Sequence, residues 1–90
     1  MQRADSVSNR YFVYILECSD KTLYTGITNN IEKRMEFHRD GKGSKYVRSR
    51  SPFKLVYKES YKTKSKALKR EIAIKKLSRK DKLEIIKSKC

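Results

Sequence analysis

Two apolar runs near the start of the chain predict an antiparallel β-hairpin. The first run, Tyr11–Cys18, concentrates aromatic and branched aliphatic side chains, which is typical of a buried strand. The second run, Leu23–Thr28, follows a polar segment at 19–22 that is short enough to be a turn. The pattern therefore predicts the first two strands of a sheet.

Helical periodicity starts after the second strand. Apolar positions recur at helical spacing from Ile31 to about Arg39, and Asn29 with Glu32 three positions later has the form of a capping box. Residues 40–52 hold two of the three glycines and the only proline, so we expect a loop there. The hairpin is thus predicted to lead into one helix and then into a long connection.

The second half of the chain predicts one more strand and two helices. Phe53–Tyr61 is rich in residues that favour strands. Thr63 or Ser65 is suited to cap a helix from about Lys66 to Leu77, and a short break at Ser78 then opens a last helix through about Lys87. The order β-β-α-β-α-α predicts an α/β (α+β) fold in which helices flank a small three-stranded antiparallel sheet.

The charge of the chain predicts a phosphate polymer as its partner. Twenty-four Lys and Arg against ten Asp and Glu give a net charge of +14 over 90 residues, and the excess is spread along the whole chain. No run approaches the roughly 18 apolar residues of a membrane span. We expect a cytoplasmic protein with no membrane partner, with a flexible leader at 1–10, a single domain at 11–87 and a tail at 88–90.

The cysteines and glycines predict neither a zinc site nor a nucleotide-binding loop. Cys18 and Cys90 are far apart and lack the paired spacing of zinc ligands, so both are expected to be thiols, with Cys18 in the core. No glycine run followed by Lys and Ser or Thr opens a helix, which excludes a P-loop. We therefore expect no small-molecule cofactor.

A carboxylate is predicted to lie on the apolar face of the helix at 66–77. Ala67, Leu68, Glu71, Ile72 and Ile74 share one side of that helix at about 100° per residue. A buried carboxylate requires a cation, which is either a Lys or Arg partner in a structural ion pair or a metal ion. The sequence alone leaves both interpretations of Glu71 open.

The first helix shows the same anomaly. Ile31, Arg34, Met35 and His38 share one face at spacings of three, four and seven. The ordinary explanations are a histidine satisfied in the core and an arginine whose head reaches solvent. Inward charge on two separate helices is costly in a thin core, and this favours a functional role.

Tyr14 and Tyr24 lie on the two strands of the hairpin, and their relation depends on the register. A two-residue turn at Asp20 and Lys21 would place Tyr14 opposite Ile27 and turn Tyr24 to the other face. A three-residue loop or a bulge would place both tyrosines on one face. Packing is the ordinary role of strand tyrosines, and a shared site requires the second register.

The loop at 40–52 is predicted to contact phosphates. It is basic, and its aromatic Tyr46, with Phe53 just beyond it, is suited to contact unstacked bases. The residues expected to bind nucleic acid are Lys42, Lys45, Tyr46, Arg48 and Arg50.

Four sequence elements in a fixed order resemble the GIY-YIG endonuclease family, in particular its small stand-alone bacterial members, over about residues 11–86. They are Phe12-Val13-Tyr14, Tyr24-Thr25-Gly26, Arg34 and Glu71. The resemblance implies a three-stranded antiparallel sheet flanked by helices and metal-dependent hydrolysis of phosphodiester bonds. DNA is the expected polymer in preference to RNA, with a preference for single strands, flaps or branches.

The resemblance also implies a role for each candidate residue. Glu71 would hold a single divalent ion, Mg²⁺ or Mn²⁺, whose remaining positions are filled by water and substrate oxygens. Arg34 would bind the scissile phosphate. Tyr14 would orient or deprotonate the attacking water with help from Tyr24, and His38 is a rival general base because of its usual pKa of about 6.5.

The chain departs from the family pattern at three places. Phe12 replaces the glycine that opens the first signature, Ile27 replaces a lysine of some repair nucleases, and the asparagine that some relatives carry has no counterpart around Glu84. A non-catalytic nucleic-acid-binding module is therefore the main alternative, since the basic charge alone predicts binding and not cleavage. A basic ribosome-associated protein is a third possibility, but it gives no reason for inward charged residues.

Overall fold

Three antiparallel strands form the centre of the computed structural model, which describes residues 10–89. The strands are β1 (Tyr11–Cys18), β2 (Leu23–Thr28) and β3 (Phe53–Tyr61), in the order β2-β1-β3. These bounds and the antiparallel pairing confirm the prediction. The predicted leader falls outside the described residues except at its last position, and Cys90 also lies outside them.

Four helices surround the sheet: α1 (Ile31–Arg39), α2 (Lys45–Ser49), α3 (Lys64–Lys75) and α4 (Arg79–Lys89). The predicted order is confirmed with one addition, because α2 lies inside the segment expected to be a loop. Ser44 caps α2 by accepting a hydrogen bond from the Tyr46 amide at 3.0 Å, and Val47 is buried beneath it. Between residues 10 and 89, no helix combines the length and apolarity that a membrane span needs.

The loop between β1 and β2 decides the register of the hairpin. Cys18 donates its amide hydrogen to the Thr22 carbonyl at 2.9 Å, and Lys21 donates to the Cys18 carbonyl at 2.9 Å, so three residues form the loop. Lys21 has a φ of 72°, the left-handed conformation that such a three-residue loop needs. Asp20 accepts hydrogen bonds from the amide and the hydroxyl of Thr22, which stabilises the loop.

Each face of the sheet carries its own apolar cluster. Helices α3 and α4 cover one cluster, whose buried members are Val13, Ile15, Tyr57, Ala67 and Ile74. Helices α1 and α2 cover the other, whose buried members are Tyr14, Leu16, Met35 and Val47. Cys18 is buried at the end of β1, and this burial raises the pKa of its thiol.

The cap of α1 differs from the expected capping box. Asn30, not Asn29, is the N-cap, and its side-chain oxygen accepts a hydrogen bond from the Lys33 amide at 3.0 Å. Thr28 holds Asn30 in place by accepting a hydrogen bond from its amide at 3.1 Å. The cap moved by one residue because this contact ends β2 and sets the first turn of the helix.

The inner face of α3 also differs from the prediction. Ala67 and Ile74 are fully buried, but Leu68 is 38% and Ile72 is 53% exposed. The helix starts at Lys64 after the predicted cap Thr63, which accepts a hydrogen bond from the Lys66 amide at 3.2 Å. The apolar positions thus predicted the rotation of α3 poorly, because the ion pair of Arg70 on α3 with Glu59 on β3 holds the helix.

Candidate active site

Both signature tyrosines lie on the face of the sheet that α1 and α2 cover. Tyr14 pairs with Gly26 and Tyr24 pairs with Leu16, which is the register that a shared site requires. Gly26 makes room for the Tyr14 ring, because a Cβ on Gly26 would lie 2.5 Å from the Tyr14 hydroxyl oxygen. The glycine of the second signature therefore has a direct steric role.

The Tyr14 hydroxyl meets His38 in the interior. The distance between Tyr14 Oη and His38 Nε2 is 3.0 Å, and the two residues are only 1% and 2% exposed. His38 Nδ1 is buried and has no hydrogen-bond partner within residues 10–89. Gly43 lies against this ring edge, where a Cβ would collide with it. The predicted inward orientation of His38 is thus observed, but as a histidine with one nitrogen unsatisfied by the described chain.

Tyr24 belongs to the same group of rings. Its ring centroid lies 6.4 Å from that of Tyr14 and 5.8 Å from that of His38, in edge-on or tilted geometry. Phe53 contacts the other side of His38 at 5.7 Å. The structure therefore brings three of the predicted catalytic residues into one cluster of side chains.

A stack of side chains supports Tyr24 from the outside. The Tyr46 ring is stacked on Tyr24 at 6.0 Å, and the guanidinium carbon of Arg50 lies 3.9 Å from the Tyr46 centroid. Arg50 in turn donates to Asp20 in the hairpin loop at 3.0 Å. No spacing in the sequence indicated this stack, since the contacts of Tyr24 with Tyr46 and of Asp20 with Arg50 join residues that are far apart in the chain.

Arg34 lies on α1 one turn before His38. Its side chain is half-buried, and its guanidinium carbon is 5.6 Å from the Phe37 ring centroid. Burial, followed by the charge of Arg34, lowers the pKa of His38, so the imidazole is neutral at neutral pH. The charge of Arg34 therefore favours the neutral form of His38 and opposes the rise in the pKa of Tyr14.

Glu71 reaches the same region from α3. Burial and then Tyr24 raise the pKa of Tyr14, Arg34 opposes them, and the Glu71 carboxylate raises this pKa further. The Glu71 side chain is 13% exposed, and its ion pair is with Lys75 on the next turn at 3.3 Å. Ring contacts thus join three of the five predicted catalytic residues, and the charges of the other two, Arg34 and Glu71, act on the pKa of Tyr14.

Glu71 fits one hydrated divalent ion better than a metal cage. The part of the chain that the structure describes contains no group of three His, Cys, Asp or Glu side chains that could hold a metal. A single carboxylate of low exposure, whose ion pair is with a lysine that is itself 55% exposed, is suited to Mg²⁺, which keeps several waters.

The predicted phosphate-binding residues divide into two groups. Lys42, Lys45 and Arg48 are exposed, and their contact with nucleic acid stays a prediction. Tyr46 and Arg50 already contact protein groups in the stack described above.

The chain has close bacterial relatives of similar length. The UPF0213 protein of Syntrophus aciditrophicus is 59% identical over 80 residues, which cover 88% of this chain and 92% of that protein. The UPF0213 protein CPE1444 of Clostridium perfringens is 55% identical over 78 residues, covering 87% of this chain and 84% of that protein.

Two solved structures have the same fold. The solution structure of the UPF0213 protein BH0048 from Bacillus halodurans is 41% identical, with a TM-score of 0.60 over 89% of this chain and 85% of that one. The solution structure of the protein EF2693 from E. faecalis is 37% identical, with a TM-score of 0.62 over 88% and 84%. The sequence also matches the GIY-YIG catalytic domain over residues 10–84, and the chain therefore belongs to the GIY-YIG nuclease family.

Proposed function

We propose that this protein is a divalent-metal-dependent endonuclease that hydrolyses phosphodiester bonds of DNA. The observation that supports this proposal best is the buried hydrogen bond between Tyr14 and His38 at 3.0 Å, which lies within reach of the charges of Arg34 and Glu71. A cation, a carboxylate and a proton-transfer pair in one place are the groups that phosphodiester hydrolysis requires.

Tyr14 and His38 are suited to act together as the base. A phenol with a raised pKa is a poor base at neutral pH, but a neutral imidazole 3.0 Å away accepts a proton readily. The Tyr14 oxygen would take a proton from the attacking water while it passes its own proton to His38 Nε2. The imidazolium then carries the proton, so neither a free phenolate nor a free hydroxide is needed.

Arg34 and Glu71 supply the charges of the reaction. Arg34 would bind the scissile phosphate and stabilise the negative charge that develops on it. Glu71 would hold the divalent ion, which when bound supplies further positive charge to the phosphate.

Removing the carboxylate tests the proposal directly. We expect Glu71→Ala to reduce Mg²⁺- or Mn²⁺-dependent nicking of plasmid DNA by about 100-fold or more, while DNA binding at constant salt is retained. Glu84→Ala removes the same charge from an exposed position of α4 and is the matched control. Nicking that survives in Glu71→Ala would reject the role of this residue.

We further propose that the enzyme prefers single strands, flaps or branches. Unpaired bases are available for stacking without the cost of opening a duplex. Cleavage rates on a duplex, a flap and a single strand of the same sequence test this preference, and equal rates on all three would contradict it.

One observation favours a non-catalytic nucleic-acid-binding module. Tyr14 is only 1% exposed, so a water molecule must enter the cluster of rings before the hydroxyl can activate it, whereas binding to the basic surface needs no such entry. This alternative predicts tight, salt-sensitive binding of DNA and no metal-dependent cleavage of any of the three substrates.

A further inference from the structure

A shallow depression lies beside Arg34, where β2 ends and α1 begins. Its volume is about 200 Å³, and the residues around it are Thr28, Asn29, Asn30, Lys33, Arg34 and Phe37. Because Arg34 and Phe37 line the depression and His38 follows them on the same helix, the depression adjoins the candidate active site.

An exposed aromatic ring forms one wall of the depression. Phe37 is 42% exposed on α1, although an aromatic residue gains most from burial. The Arg34 guanidinium carbon lies 5.6 Å from its centroid, so a cation already rests near the ring. Tyr46 and Phe53, the aromatics that sequence patterns suggested for base contacts, instead pack on Tyr24 and His38.

The depression is positively charged. Within residues 10–89, neither Lys33 nor Arg34 forms an ion pair, and neither Glu32 nor Glu36 of the same helix lines the depression. Two cations that form no ion pair with the described residues, beside an exposed ring, favour a ligand that carries both negative charge and a flat apolar surface.

Some of the polar groups at the edge of the depression already form hydrogen bonds within the protein. The Asn30 side chain caps α1 through the Lys33 amide at 3.0 Å, and Thr28 is bonded to the Asn30 backbone at 3.1 and 3.3 Å. The exposed side chain of Asn29 makes no hydrogen bond with the described residues, and its amide offers both a donor and an acceptor.

We propose that this depression binds the unpaired nucleotide next to the cleaved phosphodiester. The base stacks on Phe37, Lys33 contacts the adjacent phosphate, and Asn29 faces the edge of the base. This inference rests on the proposed function, because Arg34 defines where the cleaved phosphate lies. On this inference, stacking of a base on Phe37 is the contact that makes the enzyme prefer unpaired DNA.

Binding without metal separates this inference from the proposed activity. Short thymidine oligonucleotides carrying 2-aminopurine at one position are titrated with the full chain in EDTA, and the fluorescence reports stacking. We expect one position to be quenched by the wild-type protein. Phe37→Ala should weaken binding by about 5- to 150-fold and abolish that quenching, and Phe37→Leu, which keeps an apolar side chain without a flat ring, should also abolish it.

Three further variants complete the test. Phe37→Tyr should keep the quenching, and Lys33→Gln should lower the slope of log affinity against log salt by about 0.7. Leu83→Ala removes an apolar side chain of similar exposure, 40%, on α4 and should change neither affinity nor quenching. Quenching that persists in Phe37→Leu, or an equal loss of affinity in Leu83→Ala, would overturn the inference. Absence of cleavage by the wild-type protein would reject the nuclease proposal alone.

Discussion

Two clusters of aromatic and polar side chains lie on opposite faces of the sheet, and they differ in how many of their hydrogen-bonding groups have a partner. In the Glu59 cluster (Tyr57, Glu59, Tyr61 and Arg70), both carboxylate oxygens of Glu59 are occupied. Arg70 donates to them at 3.0 to 3.2 Å, Tyr61 donates at 2.5 Å, and Tyr57 donates as well. Burial raises the pKa of Glu59, but these hydrogen bonds outweigh it, and the pKa lies below its usual value.

In the His38 cluster (Tyr14, Tyr24, His38, Tyr46 and Phe53), one buried hydrogen-bonding atom lacks a partner among the described residues. The buried side-chain hydrogen bond of this cluster joins Tyr14 to His38, and His38 Nδ1 has no partner among the residues that the structure describes. The other buried side-chain atom without a partner in residues 10–89 is Thr25 Oγ1, which also lies outside the Glu59 cluster. A saturated cluster stabilises a fold, whereas an unsaturated one retains the capacity to exchange protons or bind a ligand.

Removing one hydroxyl from each cluster should give opposite results. Tyr14→Phe deletes the oxygen that bonds to His38, so we expect nicking to fall by about 100- to 10,000-fold. Tyr61→Phe removes one of several donors to Glu59 and should leave nicking unchanged. Single-turnover rates on one labelled substrate measure both, and similar losses in the two variants would refute the assignment of activity to the His38 cluster.

Breaking the Glu59 cluster should instead affect stability. Arg70→Met leaves a poorly exposed carboxylate without its cation, and we expect a loss of about 3 kcal/mol, the low end for a buried pair because Arg70 is 34% exposed. Lys54→Met removes the cation of a more exposed pair, with Glu17, and should cost less than about 1 kcal/mol. Urea unfolding gives both values, and equal costs would contradict the structural role of the cluster.

The Glu59 cluster also explains why the rotation of α3 escaped sequence analysis. Leu68 and Ile72 suggested an apolar face that included them, but the bond between Arg70 and Glu59 turns both residues towards solvent. A long-range polar contact of this kind leaves no periodic signal. The strands were predictable because their β-branched and aromatic runs are local features.

For other parts of the site, the sequence predicted two alternatives or no structure at all. The hairpin register depended on a three-residue loop whose left-handed position is occupied by Lys21. A glycine at that position would have indicated the three-residue loop from the sequence. Helix α2 has one buried residue, Val47, which is too little for a periodicity. The order of the candidate residues was visible in the chain, but the stack of Tyr46 on Tyr24 required coordinates.

The pH dependence of stability should separate the two clusters. The pKa of the only histidine, His38, is lowered from 6.5 in the folded protein, so the unfolded chain binds its proton first. Stability is therefore full above pH 6.5 and is lost as the pH falls through the folded pKa. The pKa of Glu59 is likewise lowered from 4.5, which places its loss below pH 4.5.

Urea unfolding between pH 8 and pH 3 measures these two losses. His38→Gln should remove the decline that starts near pH 6.5, and Glu59→Gln should reduce the decline below pH 4.5. The exposed Asp20 also has a lowered pKa and contributes in the second range, so the difference between wild type and Glu59→Gln is the quantity to compare. A decline near pH 6.5 that survives in His38→Gln would contradict the assignment.

The smallest expected effect concerns Arg50, which sequence patterns assigned to nucleic-acid binding. In the structure its guanidinium rests on Tyr46 and bonds to Asp20, so we expect it to position Tyr24 instead. Arg50→Lys keeps the charge but loses the planar contact, and this should lower kcat by about two- to fivefold with KM unchanged.

The exposed Arg48 is the matched control for Arg50. Among residues 10–89 its guanidinium donates one hydrogen bond, to the Gly41 carbonyl at 3.4 Å, so Arg48→Gln should raise KM and weaken the salt dependence of binding while kcat is retained. If Arg50 positions Tyr24, Asp20→Asn should also lower kcat, and the double variant with Arg50→Lys should be no worse than the more severe single variant, because both act through one stack. Additive losses, or a rise of KM in Arg50→Lys, would return Arg50 to the phosphate-binding surface.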